Sequence, residues 1–401
     1  MQRIVIIGTG FAGMWASLAA KRLIELSKVN DIEVIVISPE PRLVVRPRLY
    51  ESGAKNMSAP LDNLFNEVGI QFIQGSVTSI ALNNRIVDIL KPDGTHQDLA
   101  FDRLILAAGS RLRKPAIPGL DEHAFSIDTL DDAAKFEDHL AGLAQQSASP
   151  AGNTVVVAGG GFTGIEIAAE LPARLRSLLG TEDIRVIVVE RNEQIGPELG
   201  SNPRPAILAA LEEQGVELKL GTAVSSISQN GVTLSTGEQI PSNTVIWTAG
   251  LEATPLTKFI PGKRDPLGRT HVDSTLRAPD AKEIFVTGDA AYADTNGSAH
   301  YALMSCQHAM VLGRFAGYNA AADLLGLELK PYQQKYYGTC LDLGPSGAVV
   351  TEGWERDVRF TGLQAKEVKR YINGVLIYPP VGGKEEVFRA ADPDVRGPTL
   401  A

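Results

Sequence analysis

Cysteine is nearly missing from this sequence. Its 401 residues include only Cys306 and Cys340, too few for a disulfide framework and without the paired spacing of a metal site. A reducing compartment suits such a chain, and no metal is expected. Basic charge is also short: Lys and Arg number 38 against 47 Asp and Glu, for a net charge of −9. That balance argues against a nucleic-acid partner, since phosphate binding needs a basic face. No run approaches the ~18 to 20 apolar residues of a membrane-spanning helix. The opening MQRIVIIGTG enters an apolar strand and a glycine turn directly, with none of the regions of a signal peptide, so cytoplasmic synthesis without export is expected. What remains, 44% hydrophobic and 21% charged, is ordinary globular composition with room for two or three domains.

What is present is a repeated beginning. IVIIGTGFAGMWASLAA (4 to 20) and VVVAGGGFTGIEIAAEL (155 to 171) share an apolar run, G-x-G-F-x-G and helix-forming residues, 151 positions apart. In each, the first glycine (Gly8, Gly159) makes the turn and the second (Gly10, Gly161) lets a pyrophosphate approach the backbone. The third (Gly13, Gly164) lets helix pack on strand. Phosphate would then sit on a helix N-terminus, where free amides and the dipole favour negative charge; Phe11, Ala12, Phe162 and Thr163 begin those helices. One such motif alone is weak evidence, but two, each directly after a strand, imply two Rossmann-type units in an α/β fold and two bound dinucleotides. The next strand of the second unit, IRVIVVERN, ends at Glu190, an acceptor for a ribose hydroxyl that repels a 2′-phosphate and so favours NADH. Arg191 beside it works the other way. In the first unit Ser38 stands at that tip, with Pro39 and Glu40 following.

Three further segments narrow the class. FDRLILAAGS ends a buried strand at Ala108-Gly109, NTVIWTAGLEA at Ala249-Gly250, and EIFVTGDAAYA at Gly288-Asp289. With these the chain resembles the two-dinucleotide flavoproteins of the pyridine-nucleotide oxidoreductase superfamily over about residues 1 to 330. The resemblance implies FAD and NADH as cofactors, with Asp289 on the ribityl chain; an N-cap or turn aspartate is the structural alternative. It also implies a layout: 1–115 and 256–325 form a discontinuous FAD-binding domain, 116–255 an inserted NAD(P)H-binding domain, and 326–401 a small C-terminal region with a proline- and glycine-containing tail that either covers the site or hangs free.

Within the superfamily, PEPRLVVRPRLYESG has no cysteine where disulfide reductases carry their pair, which excludes a relay there. RPRLYESG, beginning at Arg46, is instead similar to a segment of the type II NADH:quinone oxidoreductases. That resemblance implies that Glu166 faces the stacked nicotinamide and flavin, although an acid in a first helical turn is also favoured structurally. It implies further that MSCQHAMVLG (304 to 313) is the quinone helix. Gln307 keeps the first glutamine of the family's motif, and Val311 replaces the second. The start of this helix makes Met304, Ser305, Cys306 and Gln307 candidates for flavin contact. Cys306 is read either as a thiol activated by the helix N-terminus or as a small buried residue, and His308 as structural or solvent-facing rather than catalytic. In LQAKEVKRYINGVLIYPP, Val368, Tyr371, Ile372, Val375 and Leu376 share one face with Lys366, Lys369 and Arg370 nearby. Peripheral membrane contact, packing on the flavin domain and a homodimer contact all stay open.

The expected protein is therefore an FAD-dependent NADH dehydrogenase passing electrons to a quinone or another small acceptor. A reductase for a protein carrier and a redox-sensing flavoprotein are the alternatives.

Overall fold

The computed structural model describes residues 1–145, 149–297, 299–334 and 336–395. The elements that position the site are, in chain order, β1 (Gln2–Ile7), α1 (Phe11–Leu26), β2 (Ile32–Ser38), β3 (Gln71–Gln74), β4 (Arg103–Leu106), β5 (Thr154–Ala158), α2 (Phe162–Leu179), β6 (Arg185–Val189), β7 (Val216–Lys219), β8 (Thr244–Trp247), β9 (Ala281–Val286), α3 (Cys306–Leu325), β10 (Gly338–Asp342), β11 (Ala348–Glu352), β12 (Asp357–Thr361) and α4 (Gly362–Tyr371).

The apolar runs become buried parallel strands, as unbroken Val/Ile stretches covered on both faces should. One sheet has the order 277–278, β9, β4, β1, β2, β3, and a second has 124–125, β8, β5, β6, β7. The first is assembled from chain on both sides of the second. In each, the strand that feeds the glycine turn lies between neighbours reached in opposite directions, the switch point where such sheets open a crevice. The two sheets carry separate apolar cores, built around Ile4, Met14 and Phe285 in the first and around Val157, Ile167 and Phe136 in the second.

Helix α3 lies along α1 at very short range. A Cβ on Gly313 would come 2.4 Å from the Ala12 carbonyl oxygen, and one on Gly317 would come 2.0 Å from that of Ala16. These two glycines, one turn apart, let α3 settle against α1 and bring its N-terminus to the mouth of the first turn. An antiparallel sheet of β10, β11 and β12 and then α4 complete the fold.

Two questions that the sequence left open in the C-terminal region are narrowed. Of the basic residues near that helix face, Lys366 and Lys369 turn inward and Arg370 stays exposed. Lys369 is 4% exposed, and Lys366 pairs with Glu170 and Asp342, because α4 lies against α2 with acidic groups beneath it. The α-helix ends at Tyr371 and continues as a π-helical segment, Ile372–Leu376; Tyr371 and Val375 stay exposed while Val368 and Ile372 pack inside. Nor does the first part of the tail hang free. Helix Lys384–Ala390 buries Val387 against the first core, and Lys384 pairs with Glu25 and Asp392 with Arg22 on α1. Residues 396–401 lie outside the described residues. No helix among the described residues is long and apolar enough to cross a membrane.

Candidate functional site

The glycine turns do locally what their spacing requires. Gly8 (φ +110°) and Gly159 (φ +118°) occupy conformations that favour glycine. A Cβ on Gly13 would lie 2.0 Å from the Gly8 carbonyl oxygen, and one on Gly164 would lie 1.8 Å from that of Gly159. These contacts hold helix to strand. The middle glycines differ: Gly10 faces open space, whereas a Cβ on Gly161 would meet Glu198 Oε1 at 2.7 Å. Neither α1 nor α2 has a side-chain cap from its N-cap residue, so their first amides are available. At α2 the Phe162 N–H donates to Glu198 Oε1 over 3.0 Å. A carboxylate thus sits where the motif would seat a phosphate.

A single cavity of about 1650 Å³ joins both turns, α3 and the C-terminal region. Thr9, Gly10, Phe11, Ala12, Arg46, Gly109, Gly288 and Asp289 line it on the first-sheet side. Gly159, Gly161, Phe162, Thr163, Glu166, Glu190, Ala249 and Gly250 line it on the other, and Ser305, Cys306, Gln307 and Val311 along α3. Ser38, Pro39 and Ala108 are not among its walls. Ser38 is buried and accepts from Thr9 Oγ1 at 2.9 Å, and Thr9 is among the walls in its stead.

Asp289 fits a polyol better than a cap. Its Oδ2 accepts from Ser110 Oγ at 2.6 Å, with Arg46 Nη1 3.9 Å away. No backbone amide is bonded to its carboxylate among the described residues, which removes the N-cap alternative. Burial raises the acid's pKa, with the Ser110 hydrogen bond and Arg46 opposing. A hydroxylated ligand at the open Gly10 turn would supply the missing donors, so the residues present fit FAD. On the second side Glu190 Oε2 accepts from the Gly160 N–H at 2.8 Å and its Oε1 from the Asn192 N–H at 2.9 Å.

At the centre, Glu166 is 3% exposed. Its Oε1 accepts from Lys369 Nζ at 2.8 Å and from the Asp342 N–H at 3.0 Å. Burial pushes this carboxyl up to about 7 against the pull of Lys369. Burial works against the Lys369 charge too, but Glu166, Cys340 and Asp342 more than offset it and raise its pKa. Asp342 also accepts from Tyr50 Oη at 2.8 Å. Lys369, Asp342 and Tyr50 were not singled out from the sequence as site residues. Only the position of Tyr50 inside RPRLYESG could have pointed to one of them.

The helix bearing the half-motif is anchored too. Ser305 caps it, accepting from the His308 N–H at 3.4 Å, and Gln307 Oε1 accepts from the Gly338 N–H at 3.3 Å. For Cys306 burial pushes the thiol up to about 11, against the activated-thiol alternative and toward the packing one, and Cys340 rises to about 12. His308 is fully buried and lowered to about 3 by burial, so of its two readings the structural one fits and the solvent-facing one does not. No cluster of metal-ligating side chains occurs among the described residues.

With this geometry in place, comparison with known proteins decides the class. The model of the pyridine nucleotide-disulphide oxidoreductase family matches residues 2–313. The chain belongs to that family. An NADH dehydrogenase-like protein of Mycobacterium tuberculosis is 42% identical over 402 residues, covering 99% of both chains. A demethylphylloquinone reductase of Synechocystis is 30% identical over 87% of this chain and 86% of its own. Among solved structures, NDH2 of Plasmodium falciparum in complex with NADH superimposes with a TM-score of 0.78 at 14% identity, over 97% of this chain and 96% of the other. As a family member the protein is an FAD-dependent oxidoreductase that uses NADH.

Proposed function

We propose that this family member is an NADH:quinone oxidoreductase. The observation that carries the proposal is the single cavity running from both dinucleotide turns onto the α3 face that bears Gln307 and Val311. The quinone-reducing relative at 30% identity supports the same acceptor class. FAD, when bound, supplies the two-electron chemistry that couples nicotinamide oxidation to acceptor reduction.

The chain's own residues then have limited tasks. Gly8, Gly10 and Gly13 with Asp289 and Arg46 would hold FAD, and Gly159, Gly161 and Gly164 with Glu190 would hold NADH. The start of α3, at Ser305 and Cys306, directs its amides toward the cavity, where a helix N-terminus stabilises negative charge. Gln307 keeps its amide N–H₂ for an acceptor carbonyl, because its oxygen is engaged by the Gly338 N–H. Val311 and Met310 beside it make the slot apolar. Glu166 Oε1 can hold or release a proton near neutral pH, which reduction of a quinone to a hydroquinone requires. The thiols of Cys306 and Cys340 are both pushed up by burial, which gives no support to a thiol relay.

The test is anaerobic stopped flow: flavin reduced with one equivalent of NADH is mixed with a menaquinone or ubiquinone analogue. Reoxidation as fast as steady-state turnover is expected. Fast reduction followed by slow reoxidation would discard the quinone and send the search to protein carriers or other oxidants.

A further inference from the structure

On α3 the residues Gln307, Val311 and Arg314 follow one another at i, i+4 and i+7 and line the same cavity. Arg314 is anomalous there. Its guanidinium lies 3.9 Å from the centre of the Trp15 ring, and its Nε is buried without a hydrogen-bond partner. The nearby Trp15 Nε1 is also unpartnered. Carboxylates at this end are taken: Asp392 by Arg22 and Asp394 by Lys330. Among the described residues Arg314 has no ion pair, while Val311, Phe315 and Ile377 give the surrounding wall an apolar character. A desolvated cation with an aromatic face and, for charge, only the Asp392 carboxylate already paired with Arg22 costs free energy unless a ligand completes it. A stack on tryptophan recovers part of that, but leaves the N–H donors unused.

We propose that Arg314 recognises an anionic substituent, a carboxylate or equivalent acid, on a bicyclic quinone whose ring carbonyl is held by Gln307. This rests on the quinone assignment above and specifies its substrate class. Seven residues of helix place the two positions ~10 Å apart along the axis, and a long side chain leans back toward the N-terminus. Two fused rings with a substituent span that gap. The acid group takes no part in the redox step: NADH and one proton are consumed, NAD⁺ and the hydroquinone are formed, and the substituent leaves as it entered.

The experiment uses the full-length, FAD-loaded protein and compares a naphthoquinone sulfonate with menadione, in which a methyl group takes the sulfonate's place. Wild type should favour the sulfonate in kcat/KM. Arg314→Met should lower kcat/KM for the sulfonate by roughly tenfold or more, the usual scale of a charge-assisted hydrogen bond, and leave menadione within about twofold. Arg314→Lys should recover part of the loss. An equal fall for both acceptors would make Arg314 merely structural and overturn the proposal, as would a wild-type preference for menadione, which needs no variant to observe. Turnover of ferricyanide with neither quinone reduced would instead remove the quinone assignment itself, and this inference with it.

Discussion

Replacing Lys369 by methionine is the sharpest perturbation of the site, because the lost ammonium is the strongest donor to a carboxyl that burial already pushes up to about 7. In the variant Glu166 keeps only the Asp342 N–H, so its folded-state pKa rises further. A group whose folded pKa is raised contributes stability below its unfolded value and loses it as pH climbs through the folded one. Wild type therefore loses stability between about 4.5 and 7 and levels off above. The variant goes on losing it above 7, at up to about 1.36 kcal/mol per pH unit until its own higher folded pKa is passed. Below about pH 6 Glu166 is mostly protonated in both proteins, and the difference should shrink toward zero. Urea denaturation of wild type and Lys369→Met across that range measures it. In Lys369→Met/Glu166→Gln the added pH dependence should vanish. A loss of stability equal at pH 6 and pH 9 would refute the reasoning, because it would mean that packing of the lysine stem, not an unpaired charge, dominates.

Glu198→Ala should lower KM for NADH by roughly three- to tenfold with kcat unchanged, since a capping carboxylate worth ~0.5 to 1.5 kcal/mol no longer competes for the Phe162 N–H; a raised KM in steady-state assays would show that Glu198 helps to hold the dinucleotide. Asp289→Ala should be isolated with little flavin, read from the ratio of flavin to protein absorbance, and a full complement of bound FAD would remove its assignment. Glu190→Ala should narrow the preference for NADH over NADPH several-fold in kcat/KM. An unchanged ratio would move cofactor selection to other residues.

How much of this was legible in the sequence follows from how local each requirement is. The glycines of both turns could be read because their constraints are met within a few residues: Gly13 packs on the Gly8 carbonyl and Gly164 on that of Gly159. The buried strands could be read from their Val/Ile runs for the same reason. Of Ser38 only the place at a strand tip was visible, whereas its hydrogen bond with the hydroxyl of Thr9, 29 residues earlier, was not. For Lys369 the choice between a basic surface and inward packing stayed open, because helical periodicity shows which residues share a face but not what that face meets. Its partner Glu166 is 203 residues away. Arg314 left no signal at all: an arginine on a long helix is ordinary until its neighbours prove to be apolar or already paired.

The same distance argument changes the standing of the C-terminal region. Glu166 stands just past the first turn of α2, where the helix dipole still slightly favours a negative charge. Burial reverses this preference, and only the ammonium carried by α4 and the amide at the end of β10 bring the carboxyl back to about 7. Gln307 depends on the same region, since the Gly338 N–H fixes which end of its amide faces the cavity. The two polar groups closest to the proposed chemistry, one on each side of it, thus have their protonation and orientation set by residues 338 to 369. A segment that composition alone marks as an appendage is what makes an acid on one helix and an amide on another usable at neutral pH.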